Sequence, residues 1–310
     1  MTMPSVSIII LQYNNSQDTI RCLESVKGLE YPNFEVIVVD NASKLEHLNN
    51  TRLFVESQPR NIHTYALRGQ ANSRYHLITS KENLGYSGGN NAGIKLALQN
   101  HADYVLILNP DSVVEADLLL KLIKKSQSEQ EIGIVGPAIN EYSDKRERVV
   151  YGGLIEWLKP ELKHLESYLP NSAFFISGAA ILIKGDVFEK IGFLDERYFL
   201  YFEDADFCLR AKKAGYKLAI ANDALIRHQI SSTTGSMGNS LLLRYHYRNS
   251  HLFNWKNGPI HIKIALPFWS FFIIIKQLIK IVFVPPKRQI SLAILRGIID
   301  FYTGKFGKIQ

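Results

Sequence analysis

The densest chemical signal in this sequence is Tyr198–Arg210, YFLYFEDADFCLR, where Glu203, Asp204 and Asp206 lie within four residues beside five aromatics. Like charges and apolar neighbours both disfavour an ionised carboxylate and raise its pKa, which suits a general base. The same acids would complement the dipole of a helix starting there, so the cluster alone also fits an ordinary helix N-terminus. Three further polar groups, Gln12-Tyr13-Asn14-Asn15, Asp40-Asn41-Ala42-Ser43 and Asn109-Pro110-Asp111, each follow directly on a short apolar run. Asp, Asn and Ser are common turn formers and helix caps. Three such endings in register, however, would meet at one edge of a parallel sheet, where open α/β sheets bind ligands. Asn83–Gly93, NLGYSGGNNAG, places Gly85, Gly88 and Gly89 ahead of a helical stretch. Glycines so placed let backbone N–H groups approach a phosphate. The segment lacks the Lys-Ser/Thr pair of a P-loop. The dinucleotide fingerprint also fails, because the first apolar run is followed by Gln12-Tyr13-Asn14 and not by glycines.

These groups need a scaffold to position them. Ser5–Leu11, Phe34–Val39 and Tyr104–Leu108 are continuous apolar runs, as expected of buried parallel strands, and His76–Thr79 is a shorter candidate. Between them, Ser16–Val26, Asn90–Gln99 and Ala116–Ser126 have helical spacing, with Ile20, Leu23 and Val26 on one face of the first and Leu118, Leu119, Leu122 and Ile123 on one face of the last. This alternation predicts an α/β fold with a mostly parallel, Rossmann-like sheet and helices on both faces. Ile132–Ile139, Val149–Leu154, Ala173–Ile183, Leu218–Ile220 and Ala224–His228 read as further strands, and Gly185–Ile191 and Ala205–Ala214 as helices.

The remaining residues, 241–310, differ in character. Leu241–Trp255 reads as a helix. Between Lys256 and Gln310 nine basic residues face one acid, Asp300, so this tail carries +8 of a net +7 and the rest of the chain is close to neutral. A cation-rich tail on a neutral body argues against nucleic acid as a partner and for contact with an anionic bilayer surface. The most apolar piece, Ile264–Ile275, is twelve residues long and interrupted by Pro267, short of the ~20 residues a spanning helix needs. The spacing predicts an amphipathic helix on the membrane surface, Pro285-Pro286 as its end, and a second helix over Ile290–Tyr302; packing of both on the body is the alternative. Cys22 and Cys208 match no metal or disulfide pattern, which fits a reducing compartment. The opening residues lack a basic n-region and a cleavage site, so no secretory signal is expected and the predicted location is cytoplasmic, peripheral on the inner face of the membrane.

Taken in order, SIIILQYN, VIVVDNAS, NLGYSGGNNAGI, ILNPDS and SGAAILIKGDVFEKIGFLDERYFLYFEDADFCLRAKKAGY resemble glycosyltransferase family 2, within it the rhamnosyltransferase and galactofuranosyltransferase-like group, over about Ser5 to His228. The resemblance implies a GT-A fold in residues 1–240, with a nucleotide-sugar half over about 1–130, an acceptor half over about 131–240, and a C-terminal helical appendage over 241–310. It implies transfer of a sugar with inversion, from dTDP-rhamnose first or a UDP-sugar, to a glycan or lipid-linked glycan. Asp204 would be the base, with Glu203 and Asp206 orienting the acceptor or supporting it. Tyr13, Asn14, Asp40, Asn83, Gly85, Gly88 and Asn109 would line the nucleotide-sugar site. Asp111, the last acid of the family's Asp-x-Asp motif, and His228 would hold Mg²⁺ or Mn²⁺ on the diphosphate, a hard-ligand set suited to either ion. Asn109 takes the first position of that motif, which removes one charge. Arg244 and Arg248 are candidate cations for the diphosphate or a lipid phosphate. A nucleotidyltransferase and a catalytically inactive, membrane-associated nucleotide-sugar-binding protein are the competing readings. The first would show a glycine- and base-rich loop after the first strand, and the second would not need Asp111 and Glu203-Asp204.

Overall fold

The computed structural model describes residues 3–58, 74–143, 146–169, 174–229 and 239–309. Its nine-stranded sheet begins with four parallel strands, β1 (Val6–Gln12), β2 (Phe34–Asp40), β3 (Tyr75–Thr79) and β4 (Tyr104–Leu108). Ile8, Ile9 and Ile10 on β1 are all fully buried, because both faces of the strand are covered, and this is why the run shows no alternation. The helices between them are α1 (Ser16–Lys27), α2 (Leu45–Ser57) and α3 (Gly85–Gln99). The core face of α1 is Cys22, Leu23 and Val26, and Ile20 is only half-buried.

The sheet continues through β5 (Ser112–Val114), β6 (Ile132–Ser143), β7 (Arg146–Val150), β10 (Ala180–Lys184) and β11 (Lys217–Gln229), in the order β3-β2-β1-β4-β10-β6-β11-β5 with β7 on β6. β10 is antiparallel to both β4 and β6, so β6 and its parallel partner β11 run with β1–β4. Six strands thus share one direction while β5, β7 and β10 oppose it. A two-stranded ribbon, β8 (Gly153–Leu154) with β9 (Lys163–His164), lies apart. α4 (Leu118–Gln127) buries the four apolar residues its spacing predicted. α5 (Gly185–Ile191) and α6 (Glu203–Lys213) complete the body.

Four expectations need correction. The two short strands at Leu218–Ile220 and Ala224–His228 are one strand, β11, bent by register shifts. The strand expected over Ala173–Ile183 is confined to β10, and Ala173 lies outside the described residues. The glycine segment is not a loop before a helix, because α3 already starts at Gly85. A Cβ on Gly89 would lie 2.4 Å from Leu11 Cδ1, and one on Gly93 2.7 Å from Ile9 Cγ2, so these glycines let α3 settle directly on β1.

The fourth correction concerns the tail, which folds as α7 (Asn239–Asn257), α8 (Ile260–Phe283) and α9 (Arg288–Tyr302). α8 is 24 residues, twice the apolar piece expected, and continues through Pro267. By length and composition it is the one helix among the described residues able to cross a membrane. Its inward face mixes apolar Ile262 and Leu266 with polar Ser270 and Gln277. Ser270 and Gln277 are buried against the protein, where Ser270 Oγ meets His251 Nε2 at 3.0 Å and accepts from Tyr302 OH at 2.9 Å. Ile264, Phe268, Phe271, Phe272, Ile279 and Val282 point outward, each more than half exposed.

Candidate active site

The carboxyl ends of β1, β2, β4 and β11 lie at one edge of the sheet and carry the residues singled out by the sequence. Gln12 and Asp40 face each other in register across β1 and β2. Both are buried, and Gln12 Nε2 donates to Asp40 Oδ2 at 2.8 Å while Ser43 N–H donates to Oδ1 at 3.0 Å. Thr51 Oγ1 donates to Gln12 Oε1, which fixes the amide orientation. Each Asp40 oxygen retains acceptor capacity for a further donor. Asn14, in a left-handed conformation with φ of 52°, donates its N–H to Ser43 Oγ at 2.9 Å and accepts from Lys44 N–H at 2.7 Å. The loops after β1 and β2 are thereby latched together, with half-buried Tyr13 beside them.

Asn41 joins this edge to α3. Its Nδ2 donates to Asn83 Oδ1 at 3.1 Å and to Gly85 O at 3.0 Å, and its Oδ1 accepts from Leu84 N–H at 2.9 Å. The first N–H groups of α3 are already engaged: Gly85 donates to Asn83 Oδ1 at 2.8 Å and Tyr86 to Phe199 O at 2.6 Å. A Cβ on Gly85 would lie 2.4 Å from Phe199 O. The glycine segment therefore owes its composition to close packing, and Gly85 offers no free N–H to a phosphate. Asn83 and Gly88 sit at the same helix start.

Asp111 and His228 come together because Ser112 pairs with His228 across β5 and β11, and Gln229 N–H donates to Asp111 O at 3.1 Å. His228 Nε2 lies 3.1 Å from Asp111 Oδ1 and 3.4 Å from Asn109 Nδ2. Among the described residues no group of three or more His, Cys, Asp or Glu is arranged to hold a metal ion by itself. One buried carboxylate and one imidazole aimed at it nevertheless fit a hard divalent cation that takes its remaining ligands from phosphate oxygens and water.

The acidic cluster starts α6. Asp204 Oδ2 accepts from Gly178 N–H at 3.0 Å and Oδ1 from Ala205 N–H at 2.7 Å, whereas Glu203 is buried with its Oε2 unpartnered. Burial raises the pKa of both, and the Asp204 charge raises Glu203 further, well above its ordinary value. Backbone donors to Asp204 oppose its rise. The backbone donors favour a negative charge on Asp204 over one on Glu203, whose Oε2 has none. Gly178 also ties this acid to the metal-type pair: the next residue, Ala179, accepts from Asn109 N–H at 2.9 Å, and Gly178 O accepts from Tyr86 OH at 2.6 Å. Burial raises the Tyr86 phenol well above its ordinary value, and the charges of Glu203, Asp204 and Asp111 add to the rise.

Three assigned residues belong elsewhere. Asp206 is fully buried on another face of α6, held by Arg210 Nε and Lys256 Nζ at 2.8 Å each and Asn257 Nδ2 at 2.7 Å, which commits it to docking α7 and removes it from acceptor support. Arg244 is paired with Asp300, at 2.6 Å from Nε. Arg248 is buried among backbone carbonyls, donating to Gly307 O at 2.7 Å and Tyr198 O at 3.0 Å. The Arg248 guanidinium is committed to these carbonyls, and the Arg244 charge is offset by Asp300. Sequence reasoning named Gln12 and Asn41 only within strand-end groups, without a role, and missed Tyr86 and Gly178. A polar residue closing an apolar run marked Gln12 and Asn41; nothing local marked Tyr86 or Gly178.

The model of glycosyl transferase family 2 matches residues 7–192, and that of glycosyl transferase family group 2 matches 104–285. The low-salt glycan biosynthesis hexosyltransferase Agl10 of Haloferax volcanii is 30% identical over 68% of this chain, a match spanning 62% of that relative and so less than two thirds of its length. The dTDP-rhamnosyl transferase RfbF of Shigella flexneri is 23% identical over 73% of this chain and 69% of its own. Among solved structures, the mannosyltransferase PcManGT from Pyrobaculum calidifontis, in complex with GDP-Man and Mn²⁺, superposes with a TM-score of 0.60 at 13% identity, over 98% of this chain and 89% of that one.

Proposed function

This chain belongs to glycosyl transferase family 2, with a GT-A fold, and on that premise we propose that it moves one sugar, with inversion at the anomeric carbon, from a nucleoside-diphosphate sugar to a saccharide or lipid-linked glycan in cell-surface polysaccharide synthesis. The observation that carries this reading is the Gly178–Ala179 turn, which links the Asp204 carboxylate to the Asn109–Asp111 strand end. The residues read as base for the acceptor and as seat for the donor diphosphate are thus tied to one turn, which supports a single displacement.

Asp204, ionised and aimed by two backbone donors, takes the proton from an acceptor hydroxyl, and that oxygen attacks the anomeric carbon from the face opposite the nucleotide. Burial and the neighbouring Asp204 charge favour the neutral form of Glu203, which keeps a second charge out of the site. Asp40 accepts from a base N–H, and Tyr13, Asn14, Asn83 and Gly88 frame the rest of the nucleotide sugar. Asp111 and His228, beside Asn109, would hold Mg²⁺ or Mn²⁺. The ion would supply the positive charge that neutralises the departing diphosphate. Residues 1–130 form the donor half and 131–240 the acceptor half of one continuous sheet.

dTDP-rhamnose is the preferred donor, supported by the name of the Shigella relative, with UDP-sugars second. The acceptor reading draws on α8. Its outward apolar stripe, with Lys263, Lys276 and Lys280 along the helix and Lys287 and Arg288 after it, fits a helix lying in the headgroup plane of an anionic membrane. The protein then works at the cytoplasmic face, beside lipid-linked acceptors. The test is a panel of dTDP-, UDP- and GDP-sugars with Mg²⁺ or Mn²⁺, scored for melting-temperature rise and for nucleoside diphosphate release. A dTDP-sugar that stabilises the protein and is turned over supports the reading; no response to any nucleotide sugar removes it.

A further inference from the structure

The segment that delivers Asp204 to the site is held in an unusual backbone. Phe199, Tyr201 and Phe202 have φ of 63°, 71° and 75°, in the left-handed region that large side chains rarely enter. Such a conformation persists only where its surroundings dictate it, and it concentrates at functional sites. Phe202 is the N-cap of α6, and Glu203 and Asp204 follow it immediately. The position of the Asp204 carboxylate is therefore set by this turn.

The surroundings that dictate it come from two adjacent residues of α7. The Asn249 side-chain amide donates to Tyr198 O at 2.8 Å, Leu200 O at 2.6 Å and Tyr201 O at 3.2 Å. Arg248 Nη2 donates to Tyr198 O at 3.0 Å, and its Nε donates to Asn249 Oδ1 at 2.9 Å, which fixes the amide with its hydrogens toward the turn. Both side chains are almost wholly buried. Desolvation lowers the Arg248 guanidinium to about 10, and its nearest partners are carbonyls and an amide oxygen. Ring contacts extend the hold: Phe199 stacks on Tyr245 at 5.4 Å and Tyr201 on His246 at 4.1 Å. Arg248 also donates to Gly307 O at 2.7 Å, and Gly307 N–H donates to Arg197 O at 2.9 Å, so the C-terminal segment closes the clamp from its far side.

We propose that Asn249 and Arg248 are positioning residues for sugar transfer: they hold the left-handed turn Phe199–Phe202 and so fix where the Asp204 carboxylate meets the acceptor hydroxyl. This rests on the reading of Asp204 as the base. Within the donor-side pairs Gln12–Asp40 and Asp111–His228 the two members are joined to each other at the sheet edge, whereas Asn249 and Arg248 bond to the turn ahead of Asp204, so the clamp acts on turnover and not on nucleotide binding.

The experiment compares Asn249→Ala, Arg248→Lys and Asp204→Asn in one transfer assay, with nucleoside diphosphate affinity measured alongside. In Asn249→Ala we expect kcat to fall about 100-fold, the order a ~1 Å misplacement of a reacting group costs, with donor KM and nucleoside diphosphate affinity within about threefold of wild type. Arg248→Lys keeps the charge but loses the fork that reaches both the carbonyls and Asn249, and its kcat should fall about tenfold with the same split. If Asn249→Ala does not fold, Asn249→Ser, which retains one donor, takes its place under the same criteria. A folded variant with wild-type kcat overturns the proposal, and so does a loss of nucleotide affinity in proportion to kcat. An inactive Asp204→Asn beside a fully active Asn249→Ala removes the positioning role and leaves the base. An active Asp204→Asn removes the base reading itself.

Discussion

Asp204→Asn is the substitution whose outcome the structure constrains most tightly. The carboxylate accepts one N–H on each oxygen, from Gly178 and from Ala205. An asparagine offers one acceptor and one NH₂, so one backbone N–H must face a donor. That mismatch costs about 1–3 kcal/mol. The substitution also removes a buried charge whose ionisation is disfavoured by desolvation and which repels Glu203. The two effects oppose each other, so the variant should fold, with a melting temperature within roughly 5 °C of wild type at the ~2–4 °C per kcal/mol usual for chains of this size. Catalysis has no such offset. Loss of a general base removes about 10²–10⁴ in rate, or roughly 3–5 kcal/mol of barrier. Donor affinity should stay within about threefold. The pH profile gives an independent check. The base works ionised and its pKa is raised by burial, so wild-type kcat should fall on the acid side at a higher pH than an ordinary aspartate would dictate, and the residual activity of the variant should lack that limb. The assay is release of nucleoside diphosphate with acceptor present, from pH 4.5 to 8. A folded variant keeping a third or more of wild-type kcat, or one that retains the acid limb, refutes the assignment.

Glu203→Gln tests the neighbouring acid: a carboxyl whose folded pKa is raised favours the fold below its unfolded value and opposes it increasingly as pH rises through the folded value. The variant should gain melting temperature relative to wild type at neutral pH and lose that advantage near pH 4. Asp206→Asn should destabilise the protein by about 3 kcal/mol, because it leaves Lys256 and Arg210 without their buried partner, while the folded fraction keeps its kcat; a selective loss of turnover would return Asp206 to the acceptor site. Chelation, or Asp111→Asn and His228→Ala, should abolish turnover restored by Mg²⁺ or Mn²⁺ in the wild type only, with unchanged rates after thorough chelation as the contrary result. The full chain should bind vesicles containing anionic phospholipid, less so at high salt, and the pair Phe271→Asp and Phe272→Asp should release it without altering turnover of a soluble acceptor analogue; binding that survives both changes would place the contact elsewhere.

Much of the site was legible because it depends on where buried strands end. Apolar runs closing in Gln12, Asp40 and Asn109–Asp111 place those residues at one sheet edge once the strands are parallel, and β1, β2 and β4 are. His228 was legible as a strand end, although only the pairing of β11 with β5 brought it to Asp111. The acids of α6 were legible as a group but not as individuals. On a helix, residues 203, 204 and 206 point in different directions, and their roles depend on what waits there: Gly178 for Asp204, and Lys256 and Asn257, fifty residues away, for Asp206. The arginines of α7 read as free cations because their partners, Asp300 and the carbonyls of Tyr198 and Gly307, are remote in sequence.

The sequence by itself indicated most of the elements and their order, though not α2, β5 or β9, since burial on both faces and helical periodicity are local patterns that a chain writes directly. It also determined the chemical types available at the sheet edge. Tertiary structure alone decided which acid receives the backbone donors, that the glycines serve packing of α3 on β1, that α8 runs unbroken past Pro267 with Ser270 and Gln277 inward and its aromatics outward, and that a left-handed turn held from α7 precedes Asp204. Each of those depends on the environment that distant segments create. Desolvation, backbone donors and packing contacts do not exist until the chain is folded, and they select among residues that the linear pattern leaves equivalent.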